Sequence, residues 1–310
     1  MRKFIVKICF RIVTYSIVFY FVTCCDNIDN SYQSNLNVDK LQSMHLYDSL
    51  DVLFVGNSYC YSGVNTRQLD SLGKKVYNLG VASAGVNFYK LILTDYLKTV
   101  NTPPERVLLL LSPMTFSNQA DNFEAYPIHR YLRTPKSHLE IYRKNKNFRI
   151  AQAYAASFKK GIKNILMNVV ESNINNHLDL KQKQSTNLGF LINRTELDSS
   201  TYKTQHPKLL PLKNEVFNKN RIEEMKALCE NLETQGIEVV YFQLPTGGLT
   251  NYFSHEYLTD YKEGLQKLSE QNRLINVPSD GLGESNYRNI DHLNTFGAGP
   301  VTNYLLEHLW

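Results

Sequence analysis

Short, nearly continuous apolar runs alternate with longer amphipathic stretches along most of this chain, a pattern that predicts strands interleaved with helices. Val52-Leu53-Phe54-Val55 reads as the heart of a strand over 51–56. A short helix near 64–72, a strand over 75–80, a helix over 85–99 and a strand over 106–112 follow. Leu108-Leu109-Leu110-Leu111 has no polar position, as expected of a central strand covered on both faces. The alternation resumes with a helix over 214–234, a strand over 237–243, a helix over 256–270, a strand over 273–277 and a helix over 295–309. Gly236 supplies a stop between helix and strand. Strands separated by helices of this length pair in parallel, so the expected class is α/β, with a five-stranded parallel sheet and helices on both faces. Residues 113–212 break the rhythm as a helical insertion, with helices over 137–147 and 149–172 and a poorly patterned segment from about 173 to 212. A weakly patterned run of that length is usually functional or mobile.

The N-terminus follows another pattern. Arg2, Lys3, Lys7 and Arg11 lead into an apolar run from Ile12 to Val22 and then Thr23-Cys24-Cys25, the layout of an export leader. The run is short for a membrane span. It resembles a bacterial lipoprotein signal, which implies lipidation at Cys25 or, with a slightly poorer fit, Cys24. An uncleaved anchor and plain secretion remain open. Each alternative puts the rest of the chain outside the cytoplasm, and the first puts it in the bacterial cell envelope, periplasm or cell surface, held to the membrane by an N-terminal lipid. Residues 26–48, rich in Asn, Asp and Ser, read as a flexible tether, and 49–310 as the domain.

Composition narrows the classes. The 310 residues are 43% hydrophobic, enough for a sizeable core. The net charge of +5 invites a nucleic-acid reading, but four of those charges lie in the leader, ahead of the first acid, Asp26. The remainder is about neutral, so nucleic-acid binding gains no electrostatic support. Of the five cysteines only Cys60 and Cys229 lie in the body of the chain, and they read as two free buried thiols. The eight histidines show no metal-ligand spacing, and no phosphate loop or dinucleotide fingerprint appears, so no cofactor is implied.

The candidate chemistry lies at the two ends of the alternation. Gly56-Asn57-Ser58 closes the first strand and opens a turn, at the edge where ligands bind in open parallel sheets. Gly56 permits a sharp turn, and amides around Ser58 would face a developing oxyanion. Ser58 reads equally as a simple helix cap. Asp291-His292-Leu293-Asn294 stands just before the last helix. A histidine there can approach Ser58 and take its proton, which serine needs because its hydroxyl is a poor nucleophile unaided. The segment Ala125-Tyr126-Pro127-Ile128-His129-Arg130 and the loop from Gln243 to Gly248 fall near the same edge. His129, Arg130, Gln243 and Asn57 are therefore candidate substrate contacts, although His129 and Arg130 read equally as solvated surface residues.

Gly56-Asn57-Ser58 together with His292-Leu293-Asn294-x-x-Gly297 resembles the SGNH/GDSL hydrolase family, in particular its envelope-associated branch of bacterial lipoproteins and cell-surface acyl-transfer proteins. The resemblance covers roughly residues 50–112 and 214–310. It implies a flavodoxin-like, three-layer α/β/α SGNH fold with Ser58 as nucleophile and His292 as base. It also implies ester chemistry, by hydrolysis or O-acyl transfer, on acylated carbohydrate or other small esters of the envelope. Oxyanion donors would be the Ser58 amide, a glycine after the second strand, Gly80 or Gly85, and an asparagine after the third. The chain departs from the family at that third block, where Leu111-Ser112-Pro113-Met114-Thr115-Phe116 replaces Gly-x-Asn-Asp, so the side-chain amide donor is either missing or supplied by Asn87 or Asn118. It departs again before the histidine: the family's usual Asp position is Asn289, and Asp291 is the histidine's immediate neighbour. Three outcomes follow: a Ser58–His292 dyad, an irregular triad through Asp291 if the loop bends unusually, or a weak or inactive site. The competing class is a non-catalytic surface protein that binds a glycan or an assembly partner.

Overall fold

The structure, a computed structural model, describes residues 40–41, 43–121, 188–194 and 196–310. The chain divides into two compact units, Met1–Asp39 with Phe123–Leu178, and Lys40–Asn122 with Asp179–Trp310, and the described residues all belong to the second. The leader, Cys24, Cys25, His129, Arg130 and the helices expected over 137–147 and 149–172 lie outside the described residues.

The five expected strands form one parallel sheet: β1 (Val52–Gly56), β2 (Val76–Gly80), β3 (Arg106–Leu110), β4 (Glu238–Gln243) and β5 (Leu274–Asn276). Their spatial order is β2-β1-β3-β4-β5, the flavodoxin-like order, with every neighbouring pair parallel. All residues of β1 and β2 are buried, as are the last four of β3, because helices cover both faces and leave no position for alternation. The helices are α1 (Ser58–Gly63), α2 (Thr66–Asp70), α3 (Val86–Leu97), α4 (Ser199–Leu209), α5 (Asn220–Glu233), α6 (His255–Ser269) and α7 (Thr295–Leu309). α7 packs on α1 and α2, while α5 packs on α3, α6 and β4. Gly236, at φ 78°, ends the helix–strand connection as expected, with its amide returned to Glu233 O. Cys60 and Cys229 are free and buried.

Two boundaries differ from expectation. The tether was placed through residue 48, yet Lys40, Leu41, Ser43 and Met44 are buried in the domain. Tyr77 Oη donates to Lys40 O and pairs with Ser43 Oγ at 2.8 Å, so the polar-looking segment is fastened to β2 by its few apolar and hydroxyl positions. The insertion was placed over 113–212, but both of its ends belong to the domain. Residues 113–116 form a 3₁₀ turn with buried Phe116 at the end of β3, and Asn78 N and Leu191 N bond to Leu188 O and Tyr61 O. The helix expected from residue 214 starts only at Asn220, because Glu215 to Asn218 run past the 113–121 segment, where Asn218 N reaches Phe116 O.

Candidate active site

β1 ends at the point where the chain order reverses between β1 and β3, and the turn that follows carries Ser58. Asn57 builds that turn. Its Oδ1 accepts the Tyr59 amide at 3.1 Å, capping α1, and its Nδ2 donates to Ser112 Oγ at 2.8 Å, tying the end of β1 to the end of β3. Asn57 is 2% exposed with its amide turned into the protein. It lines the cleft beside Ser58, while its side-chain amide organises the turn. α1 is fastened to β2 by Asn78, whose Nδ2 donates to Cys60 O and Val64 O and whose Oδ1 accepts Gly80 N. A Cβ on Gly80 would meet Tyr61 N at 2.5 Å, so this glycine is needed for close packing of α1.

The histidine comes from a loop closed on itself just before α7. Asn294 caps that helix, accepting from Phe296 N and Gly297 N, while Leu293 bridges back to Tyr287. Arg288 N donates to His292 O, and Asn289 Oδ1 accepts His292 N at 2.7 Å and Asp291 N at 3.3 Å. The loop bends sharply as a result, and Asp291 reaches the ring of its own neighbour: His292 Nδ1 lies 2.7 Å from Asp291 Oδ1 and 3.2 Å from Asn289 Oδ1. The shorter bond, to a carboxylate, is the stronger of the two. With Nδ1–H given to Asp291, Nε2 is left to accept from Ser58 Oγ, 2.7 Å away. Of the three outcomes open at the sequence level, the geometry is that of an irregular Ser58–His292–Asp291 chain, with Asn289 as the brace of the loop.

Asp291 is nearly buried, and burial by itself would raise its pKa. The charge and hydrogen bond of His292, the hydroxyl of Tyr59 and the charge of Arg288 outweigh it, so the carboxyl sits below its ordinary value and is ionised at neutral pH. Such a group can stabilise an imidazolium formed when Ser58 gives up its proton.

A cleft of about 180 Å³ opens beside Ser58 and His292, lined on its apolar side by Ala84, Met114, Ala120, Leu209, Leu212 and Leu249. Ser83 and Gln119 also line it. The amides of Ser58 and Ser83 donate to no protein acceptor among the described residues. Ser83, in the β2–α3 connection, holds φ 56°, a left-handed conformation uncommon for a residue other than glycine. Gly80 and Gly85, expected as oxyanion donors, are corrected: their amides go to Asn78 Oδ1 and Asp121 Oδ1, and Asn87, whose side chain was expected to donate, is not among the cleft residues. Ser58 and Ser83, whose amides have no acceptor among the described residues, both line the cleft.

Asp121 fixes the Ser83 turn. Its own amide donates to Ser83 O at 2.8 Å, its carboxylate takes the Gly85, Asn87 and Phe88 amides, and Arg221 Nη1 closes on it at 2.9 Å. Both charges are buried, and a Cβ on Gly85 would meet Arg221 Nη1 at 2.5 Å. Removal of one partner would leave the other charge buried and unpaired. Asp121→Ala is therefore expected to lower stability by about 3–5 kcal/mol, measured by denaturant unfolding.

The loop after β4 also departs from its expected role. Gln243 Nε2 donates to Tyr261 Oη, whose own proton goes to Leu111 O, so Gln243 ties β4 to α6 and is not among the cleft residues. Gly248 N donates to Ile290 O, making the 245–248 turn a support for the histidine loop. Ser83, Gln119, Met114 and Leu249 were not singled out from sequence, since none is itself a glycine or a titratable group. Among the described residues no three His, Cys, Asp or Glu side chains gather as a metal-ligand set, and no helix is long and apolar enough to cross a membrane.

No family model matches the chain, and no curated protein matches it in sequence. Among the solved structures it is similar to are three named as an acylhydrolase, a G-D-S-L family lipolytic protein and a GDSL-like lipase. One from Bacteroides fragilis, named as an acylhydrolase, shares 9% identity at a TM-score of 0.44, over 90% of this chain and 97% of that one. One from Desulfitobacterium hafniense, named as a lipolytic protein of the G-D-S-L family, shares 11% identity at 0.40, over 83% and 98%. A GDSL-like lipase from Bacteroides thetaiotaomicron shares 6% identity at 0.39, over 83% of this chain and 86% of that one.

Proposed function

We propose that this protein is a serine esterase of the SGNH type, acting on a small acyl ester by hydrolysis or by acyl transfer to a sugar hydroxyl. The observation that carries the reading is the unbroken hydrogen-bond chain from Ser58 Oγ through His292 to Asp291 at the C-terminal edge of the sheet. Ser58 Oγ attacks the ester carbonyl carbon as its proton passes to His292 Nε2. The carbonyl oxygen becomes an oxyanion received by the Ser58 and Ser83 amides. Collapse expels the alkoxide, which takes the proton from Nε2, and leaves an acyl group on Ser58. A water or a sugar hydroxyl, deprotonated by the same nitrogen, then releases it.

The cleft, at about 180 Å³, is below the usual range of roughly 300–1,000 Å³ for drug-sized ligands, which favours an acyl group of a few carbons with the alcohol portion outside. The basic and apolar leader with Cys24 and Cys25 supports an exported, membrane-anchored protein of the bacterial envelope, where acylated carbohydrates are the fitting substrates. Asn289, which favoured a non-catalytic role, loses that force once Asp291 supplies the carboxylate. Incubation with a fluorophosphonate is expected to label one residue, Ser58, and nitrophenyl acetate is expected to turn over faster than the octanoate. No labelling and no turnover of either ester would overturn the proposal.

A further inference from the structure

Most of the side chains at this site are accounted for by the nucleophile, the base or the loop that holds the base. Tyr59 is not. It follows Ser58 directly, at the first turn of α1, and is 5% exposed. Its hydroxyl donates to Asp291 Oδ2 at 3.0 Å, the carboxylate oxygen that His292 leaves over. Its ring lies against the imidazole, with centroids 4.6 Å apart and planes 34° from parallel.

From this we infer that Tyr59 is a positioning residue of the Ser58–His292–Asp291 chain, holding the carboxylate by its hydroxyl and the imidazole by its ring. The inference rests on the proposed hydrolase reading but adds a residue to it. The physical need comes from the irregular origin of the acid. A carboxylate borne by the residue next to the histidine shares its short backbone and has no element of its own to fix its rotamer. Oδ1 is fixed by Nδ1–H, and without a second contact the group would pivot about that bond. Tyr59 supplies the second contact from the same turn that carries the nucleophile, so movement of α1 carries serine and acid together. Burial pushes the phenol well above its ordinary value, with Asp291 adding to the shift, so the hydroxyl stays protonated and can only donate.

The test separates this role from ordinary packing. Tyr59→Phe keeps the ring and removes only the donor. It is expected to lower kcat about tenfold, the scale of one lost charge-assisted hydrogen bond, with KM within twofold of wild type and the fold intact by circular dichroism. In an Asp291→Asn background the same substitution should have little effect, because a residue acting through the carboxylate loses its target. The downfield proton resonance of His292 Nδ1–H should be present in the wild type and broadened or lost in Tyr59→Phe. Unchanged kcat, or an equal loss of kcat in both backgrounds, would overturn the inference. If the wild type turns over no ester, the hydrolase reading fails on that result alone. The resonance still decides the role of Tyr59, since an unaltered signal in Tyr59→Phe sinks it and a lost signal upholds it.

Discussion

Ser58→Ala is expected to lower kcat for ester hydrolysis by about 10⁶, with KM changed little, and to abolish fluorophosphonate labelling. The magnitude follows serine protease behaviour, in which removing the nucleophile costs about as much as removing the whole triad. Neither of the nucleophile-type side chains on the same helix, Cys60 and Ser62, can take over. Cys60 is two residues along, but burial pushes its thiol up to about 12 and its sulfur faces Asn78 Oδ1, so it offers no thiolate at neutral pH. Ser62 gives its proton to Ser58 O. What remains in the variant is the cleft with its two free amides, which should leave a residual rate of roughly 10³–10⁴ over water. Steady-state rates together with active-site titration check this, and retention of full activity by Ser58→Ala would remove the serine mechanism altogether.

The parts of this site that were legible in the sequence are those fixed by one stretch of chain. Ser58 and His292 could be paired because parallel strand order brings the end of β1 and the start of α7 to one edge, and that order follows from apolar runs buried on both faces. The block His292-Leu293-Asn294-x-x-Gly297 also has a local cause. Asn294 caps α7, Leu293 is buried, and a side chain on Gly297 would strike the backbone at Asn286. The oxyanion turn was not legible, because glycines were the natural markers of a peptide turned outward. Ser83 takes the left-handed conformation without being glycine, held there by Asp121 from the far side of β3. Such strain of about 1–3 kcal/mol persists only where tertiary contacts impose it, and no local pattern announces them. The edges of the insertion were missed for the same reason: Phe116 and Leu188 belong to the core through contacts distant in sequence.

The second large effect concerns the two residues that compete for His292 Nδ1. Asp291→Asn is expected to lower kcat by about 10⁴, the cost of the same exchange in a serine protease, because an amide does not stabilise imidazolium and its NH₂ can force the wrong tautomer. Asn289→Asp, by contrast, is expected to change kcat by less than about tenfold. Its carboxylate would stand at the 3.2 Å position while Asp291 already holds the ring at 2.7 Å, and it would bring two like charges together in a half-buried loop. Asn289 Oδ1 also accepts the amides of Asp291 and His292, a capping duty an aspartate can keep. The two positions can therefore be exchanged. In the Asp291→Asn protein, adding Asn289→Asp should restore kcat by more than about tenfold, since a carboxylate returns to the ring from the other side and the tautomer is again enforced. Measured kcat values of the four proteins decide which residue orients the base. A small loss in Asp291→Asn joined to a gain in Asn289→Asp alone would mean that the ring depends on position 289 and that the 2.7 Å contact to Asp291 is incidental. A large loss rescued by the exchange would mean that this fold accepts its acid from either side of a loop whose bend, set by one asparagine, is the feature that matters.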